Sequence, residues 1–169
     1  MRTVRYLAVW VCLCLGGCHR GSDEAGAAKP VTTHKLAAPV KKGPTVQEQT
    51  AGLVEAASPG KSDAPIELKF DLQHRPTLGK ALEIGIAIIP QISARVADVQ
   101  ASGSEGLSVA TASADMEISP VEAMQVYRRV ISVTPSAEGL MLLGVKVTLK
   151  HDEVEDYRVF SIPLIVSPK

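Results

Sequence analysis

Four stretches of this chain alternate apolar and polar residues so regularly that only a sheet with one buried face can use them. In "PIELKFDL" (65–72), Ile66, Leu68, Phe70 and Leu72 share one face. In "KALEIGIAII" (80–89) the same phase collects Leu82, Ile84, Ile86 and Ile88. "GLMLLGVKVTL" (139–149) aligns Leu143, Val145, Val147 and Leu149, and "DYRVFSIPLIV" (156–166) aligns Phe160, Ile162, Leu164 and Val166. Successive side chains of a strand point to opposite faces, so each run presents an apolar side to a core and a second side elsewhere. Gly, Pro, Ser and Asp separate the runs, which keeps the strands short and favours antiparallel pairing.

"QVYRRVISV" (125–133) reads as a further strand, and "ARVADVQ" and "GLSVAT" as weaker ones. About seven strands in residues 64–169 predict an all-β, Ig-like antiparallel sandwich. Ig-like describes the architecture alone, because neither the inter-sheet disulfide nor the core tryptophan of antibody domains is present in that region. Pro163 has no N–H to give to a ladder, so the last strand is expected at an edge or bulged there. "SPVEAMQV" (119–126), opened by Pro120, is the one hint of a helical turn in this region.

The first eighteen residues have a different texture. Arg2 and Arg5 precede an apolar run from Tyr6 to about Leu15, and Gly16, Gly17 and Cys18 follow. A positive start, a short apolar centre and small residues before a cut point read as a secretory signal. The run is shorter than the roughly 20 residues that a spanning helix needs. Leu15-Gly16-Gly17-Cys18 resembles the lipobox of bacterial lipoproteins, and residues 64–169 resemble in pattern the carboxy-terminal Ig-like sandwich of small proteobacterial lipoproteins. That resemblance implies cleavage between Gly17 and Cys18, with diacylglycerol on the Cys18 sulfur and acylation of the new amino terminus. Two or more acyl chains give stable attachment where one gives only marginal binding. His19 stands where an inner-membrane lipoprotein often has aspartate, so the resemblance implies the outer membrane, facing the periplasm; the inner membrane and the cell surface are the alternatives.

Cleavage there removes Cys12 and Cys14, which leaves Cys18 as the only cysteine of the mature chain, and that one lipid-linked. Disulfides, thiolate metal sites and a cysteine nucleophile are then excluded together.

Residues 18–63 are expected to be the lipidated terminus and a flexible Ala/Pro/Lys linker. Positions 19–63 contain no Phe, Tyr, Trp, Ile or Met, too little apolar surface to offset chain entropy. One local exception is Thr45-Val46-Gln47-Glu48, a capping-box pattern able to start a turn or two of helix through Leu53 and Val54. The division is therefore signal peptide 1–17, linker 18–63 and sandwich 64–169.

Residues 64–169 carry ten basic and thirteen acidic side chains, a net of −3, without the basic footprint that nucleic-acid binding requires. The four histidines, His19, His34, His74 and His151, show no zinc-site spacing. "HDEVED" (151–156) supplies Asp152, Glu153, Glu155 and Asp156, which suit either a divalent cation or plain solvation at a hairpin tip. "SGSEGLS" lacks the Gly-Lys-Ser/Thr of a phosphate loop and the frame of a nucleophile elbow. After Cys18 only Phe70, Phe160, Tyr127 and Tyr157 are aromatic. These features predict no catalytic residue, no metal and no cofactor.

What remains is surface. Gly85, Ala87 and Ile89, and likewise Leu140 and Leu142, fall on the faces opposite their strands' core residues. Such apolar outward positions form either a docking stripe or a patch covered by other parts of the chain. Tyr127 and Arg129 are interface-prone types, though Arg129 has a cross-strand acid such as Glu83 or Asp156 as its alternative use. The expected role is a lipid-anchored envelope protein whose sandwich is a non-catalytic interaction or accessory module with a protein partner. A carbohydrate- or peptidoglycan-binding module is the alternative, and a hydrolase ranks last.

Overall fold

A computed structural model describes residues 43–60, 62 and 64–167. Among the described residues, nine strands form two antiparallel sheets that pack face to face. The strands are β1 (Val54–Glu55), β2 (Ile66–Leu72), β3 (Leu82–Pro90), β4 (Val96–Gly103), β5 (Leu107–Val109), β6 (Asp115–Ile118), β7 (Tyr127–Pro135), β8 (Gly139–His151) and β9 (Val154–Val166). Two one-turn helices, α1 (Val46–Gln49) and α2 (Thr111–Ala114), complete the set. One sheet has the order β1-β2-β3-β7-β5 and the other β6-β4-β8-β9. The orders β2-β3-β7-β5 and β9-β8-β4 are those of the two sheets of an immunoglobulin constant domain. The chain here visits β5, in the first sheet, before β6, in the second.

The alternating residues meet between the sheets, as their phase requires. Leu68, Ile84, Ile88, Leu143, Val145, Val147, Leu149 and Ile162 have no exposed surface, and Phe160 and Leu164 almost none. Each such side chain contributes roughly 1.5–3 kcal/mol by leaving water. Gly103 ends β4 where the chain doubles back into β5, and a Cβ there would stand 1.9 Å from the carbonyl oxygen of Leu107. Only glycine permits that approach.

β8 and β9 form a long hairpin through Asp152-Glu153, with unbroken register from Gly139↔Val166 to His151↔Val154. β9 is an edge strand without a bulge, and Pro163, opposite Leu142, turns its missing N–H away from β8.

Three local expectations change. The ordered domain begins well before Ala64: the capping box forms, with Thr45 N–H donating to Glu48 Oε2 at 2.7 Å and Glu48 N–H to Thr45 Oγ1 at 3.3 Å. Those bonds hold the Glu48 carboxyl below its ordinary value. The helix stops after one turn, Gly52 takes a left-handed φ of +82°, and Val54 enters β1, pairing with Phe70. Ala56 then joins the core. Small residues thus suffice where backbone pairing carries the contact.

No helix forms at 119–126. The amides of Glu122 and Ala123 bond instead to Tyr127 Oη (2.7 Å) and Ser93 Oγ (3.1 Å), which leaves a helical turn nothing to gain. α2 lies upstream, and its "TASA" carries no periodic signal. The strand total exceeds seven because β1 and β6, of two and four residues, are too short to show alternation.

Candidate functional site

The outward side of the β8–β9 hairpin is the candidate surface. An antiparallel sheet that faces water on one side normally carries polar groups there. Here Leu140 lies opposite Ile165 and Leu142 opposite Pro163. Leu140 is 69 % exposed, Leu142 45 % and Ile165 72 %, and Pro163 is exposed as well. Gly144 and Ser161 form the next pair, followed by Lys146 and Val159. From Ile165 back to Tyr157 the outward positions of β9 hold no charge. The hairpin fixes this arrangement, because its unbroken register puts apolar outward residues of both strands side by side.

The polar end of the same face is built differently. Lys146 Nζ stands 4.9 Å from the centre of the Tyr157 ring, and Lys150 Nζ lies 2.5 Å from Asp98 Oδ2. The hydrogen bond and then the charge of Asp98 hold the Lys150 ammonium above its ordinary value. At the hairpin tip His151 Nε2 meets Asp156 Oδ2 at 2.8 Å. Among the described residues no three ligating side chains converge on a metal position.

The other expected surface residues divide. Leu140 and Leu142 are exposed, but Ala87 and Ile89 are fully buried, so the outward face of β3 offers no stripe. Ala87 pairs with Lys69 on one side and Arg128 on the other. Lys69 Nζ donates to Thr50 Oγ1 at 3.2 Å, and Arg128 Nη2 donates to the carbonyl of Gln49. The turn after α1 is thereby held across Ala87, by a segment expected to be linker. Gly85 is half-buried on the same face.

Tyr127 points to the core side and packs there. Its hydroxyl accepts from Glu122 N–H and donates within the same turn to the Pro120 carbonyl at 3.3 Å or Gln125 Oε1 at 3.2 Å. It is a clamp on its own loop. Arg129 is also on the core side, half-buried, and donates to the Arg128 carbonyl at 2.9 Å instead of pairing with Glu83 or Asp156. Gly17 and Cys18 lie outside the described residues.

Pro163 and Ile165 belong to the apolar surface without having been anticipated. The signal was present: the phase that buries Ile162 and Leu164 turns both outward, and a two-residue hairpin at 152–153 sets them beside Leu142 and Leu140. Compared with models of known protein families the chain matches none, and it has no match among curated proteins.

Proposed function

We propose that this is a lipid-anchored cell-envelope protein whose sandwich acts as a non-catalytic interaction module. The observation that carries the interaction reading is the cluster Leu140, Leu142, Pro163 and Ile165, apolar and exposed on a sheet face that normally favours polar residues. A flat apolar surface of this kind suits a protein partner, whose own apolar side chains gain by covering it. It offers no enclosed cleft and no convergent acid, base or nucleophile. The anchoring reading rests on Leu15-Gly16-Gly17-Cys18 directly after a short apolar run.

Each half has its own test. Cys18→Ser should release the protein from the membrane fraction or leave it uncleaved; normal processing with unchanged fractionation defeats the anchor. For the surface, photo-crosslinkers placed at Leu142 and Ile165 of the full-length protein in its own cells should trap a partner. A crosslinker at Arg128, on the opposite sheet, should not. Equal trapping from both sheets, or none from Leu142 and Ile165, defeats the surface assignment.

A further inference from the structure

A concavity sits at one end of the other sheet, where the loop 73–81 crosses from β2 to β3. Its volume is about 490 Å³, and it is open to solvent. His74, Arg75 and Lys80 line it together with Thr77, Glu83 and Ser132. The loop is held at both flanks. Gly79 N–H donates to the Pro135 carbonyl of β7 at 2.8 Å, and Ser167 N–H donates to the Pro76 carbonyl at 3.4 Å. Pro76 is buried, Leu78 packs against the core, and Gly79 takes the left-handed φ of +70° that closes the turn. The backbone that carries the cations is therefore fixed from both sheets.

Among the described residues neither Arg75 nor Lys80 forms an ion pair, although Glu83 lines the same hollow. Two permanent cations and an imidazole around a fixed concavity, with the Ser132 hydroxyl beside them, match the donors that a compact anion requires. We propose that this groove binds an anionic group, a carboxylate or phosphate carried by a small ligand. Arg75 and Lys80 supply the charge, Ser132 supplies a neutral donor, the Thr77 hydroxyl donates to the Arg75 carbonyl at 3.4 Å, and Glu83 limits affinity by repulsion. The site lies on a different sheet from the apolar surface, and its failure leaves the interaction reading untouched.

The test is calorimetric titration of the full-length protein with pyrophosphate and, separately, with citrate. Saturable binding of at least one is expected, and the stronger of the two identifies the anion's source as phosphate or carboxylate. Arg75→Ala with Lys80→Ala should weaken that binding about tenfold, the scale of two charge-assisted contacts at a surface site. Glu83→Gln should tighten it by a few fold, a gain that no loss of folding can imitate. An unchanged melting temperature of both variants shows that the fold is intact. Absence of saturable binding to either anion, or unchanged affinity in the double variant, overturns the proposal.

Discussion

The amide of Ser161 donates to the carbonyl of Ala57 across 2.7 Å, which ties the chain before the expected domain boundary to the edge of β9. Ser58 Oγ continues the contact by donating to the Val159 carbonyl at 3.0 Å. Three residues earlier the same segment, as the edge strand β1, pairs with β2 of the other sheet. Residues 54–58 therefore bridge one open side of the sandwich from edge to edge. With Pro163 further along β9, they leave little of that edge for an unwanted strand, a protection that exposed edges generally require.

Truncation tests this bridge. A chain starting at Ala64 loses the β1 pairing, the burial of Ala56 and the cover over Ala87. The combined cost is on the order of 3 kcal/mol, at about 1 kcal/mol for each hydrogen bond or small buried contact. Urea denaturation should show a lower midpoint than for a chain starting at Gly43, and equal midpoints would show that the bridge adds nothing.

Gly103→Ala should destabilise the domain by about 1–3 kcal/mol. The new methyl group meets backbone at Leu107, not a flexible side-chain end, so relief requires β5 to move. The same substitution at Gly85, where a Cβ would meet nothing within 4 Å, serves as the control in the same denaturation experiment.

The core was legible because β2, β3, β8 and β9 are long and alternate without a break; their phase alone placed Ile84, Leu143 and Ile162 inside. The boundary was not legible. "VEAAS" (54–58) contains one β-branched residue and no aromatic, and its order comes from backbone bonds to β2 and β9 that no local pattern encodes. Which of the two readings of Ala87 holds was not legible either, since its cover comes from the turn around Thr50. Tyr127 was read as a surface residue because Tyr is common at interfaces, whereas its position in phase with Ile131 and Val133 already marked it as core-facing. Arg75 and Lys80 lie in a loop with no motif, and only the folded loop brings them to one hollow.

Tyr127→Phe keeps the packed ring and removes the hydroxyl that satisfies Glu122 N–H. A stability loss of about 0.5–1.5 kcal/mol is expected. The amide of Glu122 should also exchange with solvent markedly faster, while amides of the β8–β9 ladder stay protected. Unaltered exchange at Glu122 would show that the hydroxyl does not hold the turn.

Two shifted groups predict opposite pH behaviour. The Glu48 carboxyl is depressed by its bonds to Thr45, so its contribution is present above the unfolded value of 4.5 and disappears as pH falls through the lower folded value. The protection of the Thr45 amide, taken relative to its intrinsic exchange rate at each pH, should fall on acidification, and Glu48→Gln should remove that dependence. Lys150 is raised by Asp98, so its contribution is complete below the unfolded value of 10.5 and is lost as pH rises through the higher folded one. A decline in melting temperature above pH 10.5 should be smaller in Lys150→Met, and an identical decline in both proteins would count against the Asp98 pair.

Ile162 and Ile165 separate the two faces of β9 within a single turn of alternation. Ile162 has no exposed surface and Ile165 is 72 % exposed. Ile162→Ala should cost about 2–5 kcal/mol through lost burial and the cavity left behind. Ile165→Glu should change stability by less than about 0.5 kcal/mol, as surface substitutions generally do, while placing a charge beside Leu140. The discriminating measurement combines urea denaturation with the crosslinking yield from Leu142. Stable protein with lost crosslinking assigns the outward face to partner binding, whereas loss of stability in Ile165→Glu would mean that this face is already packed against the protein's own chain.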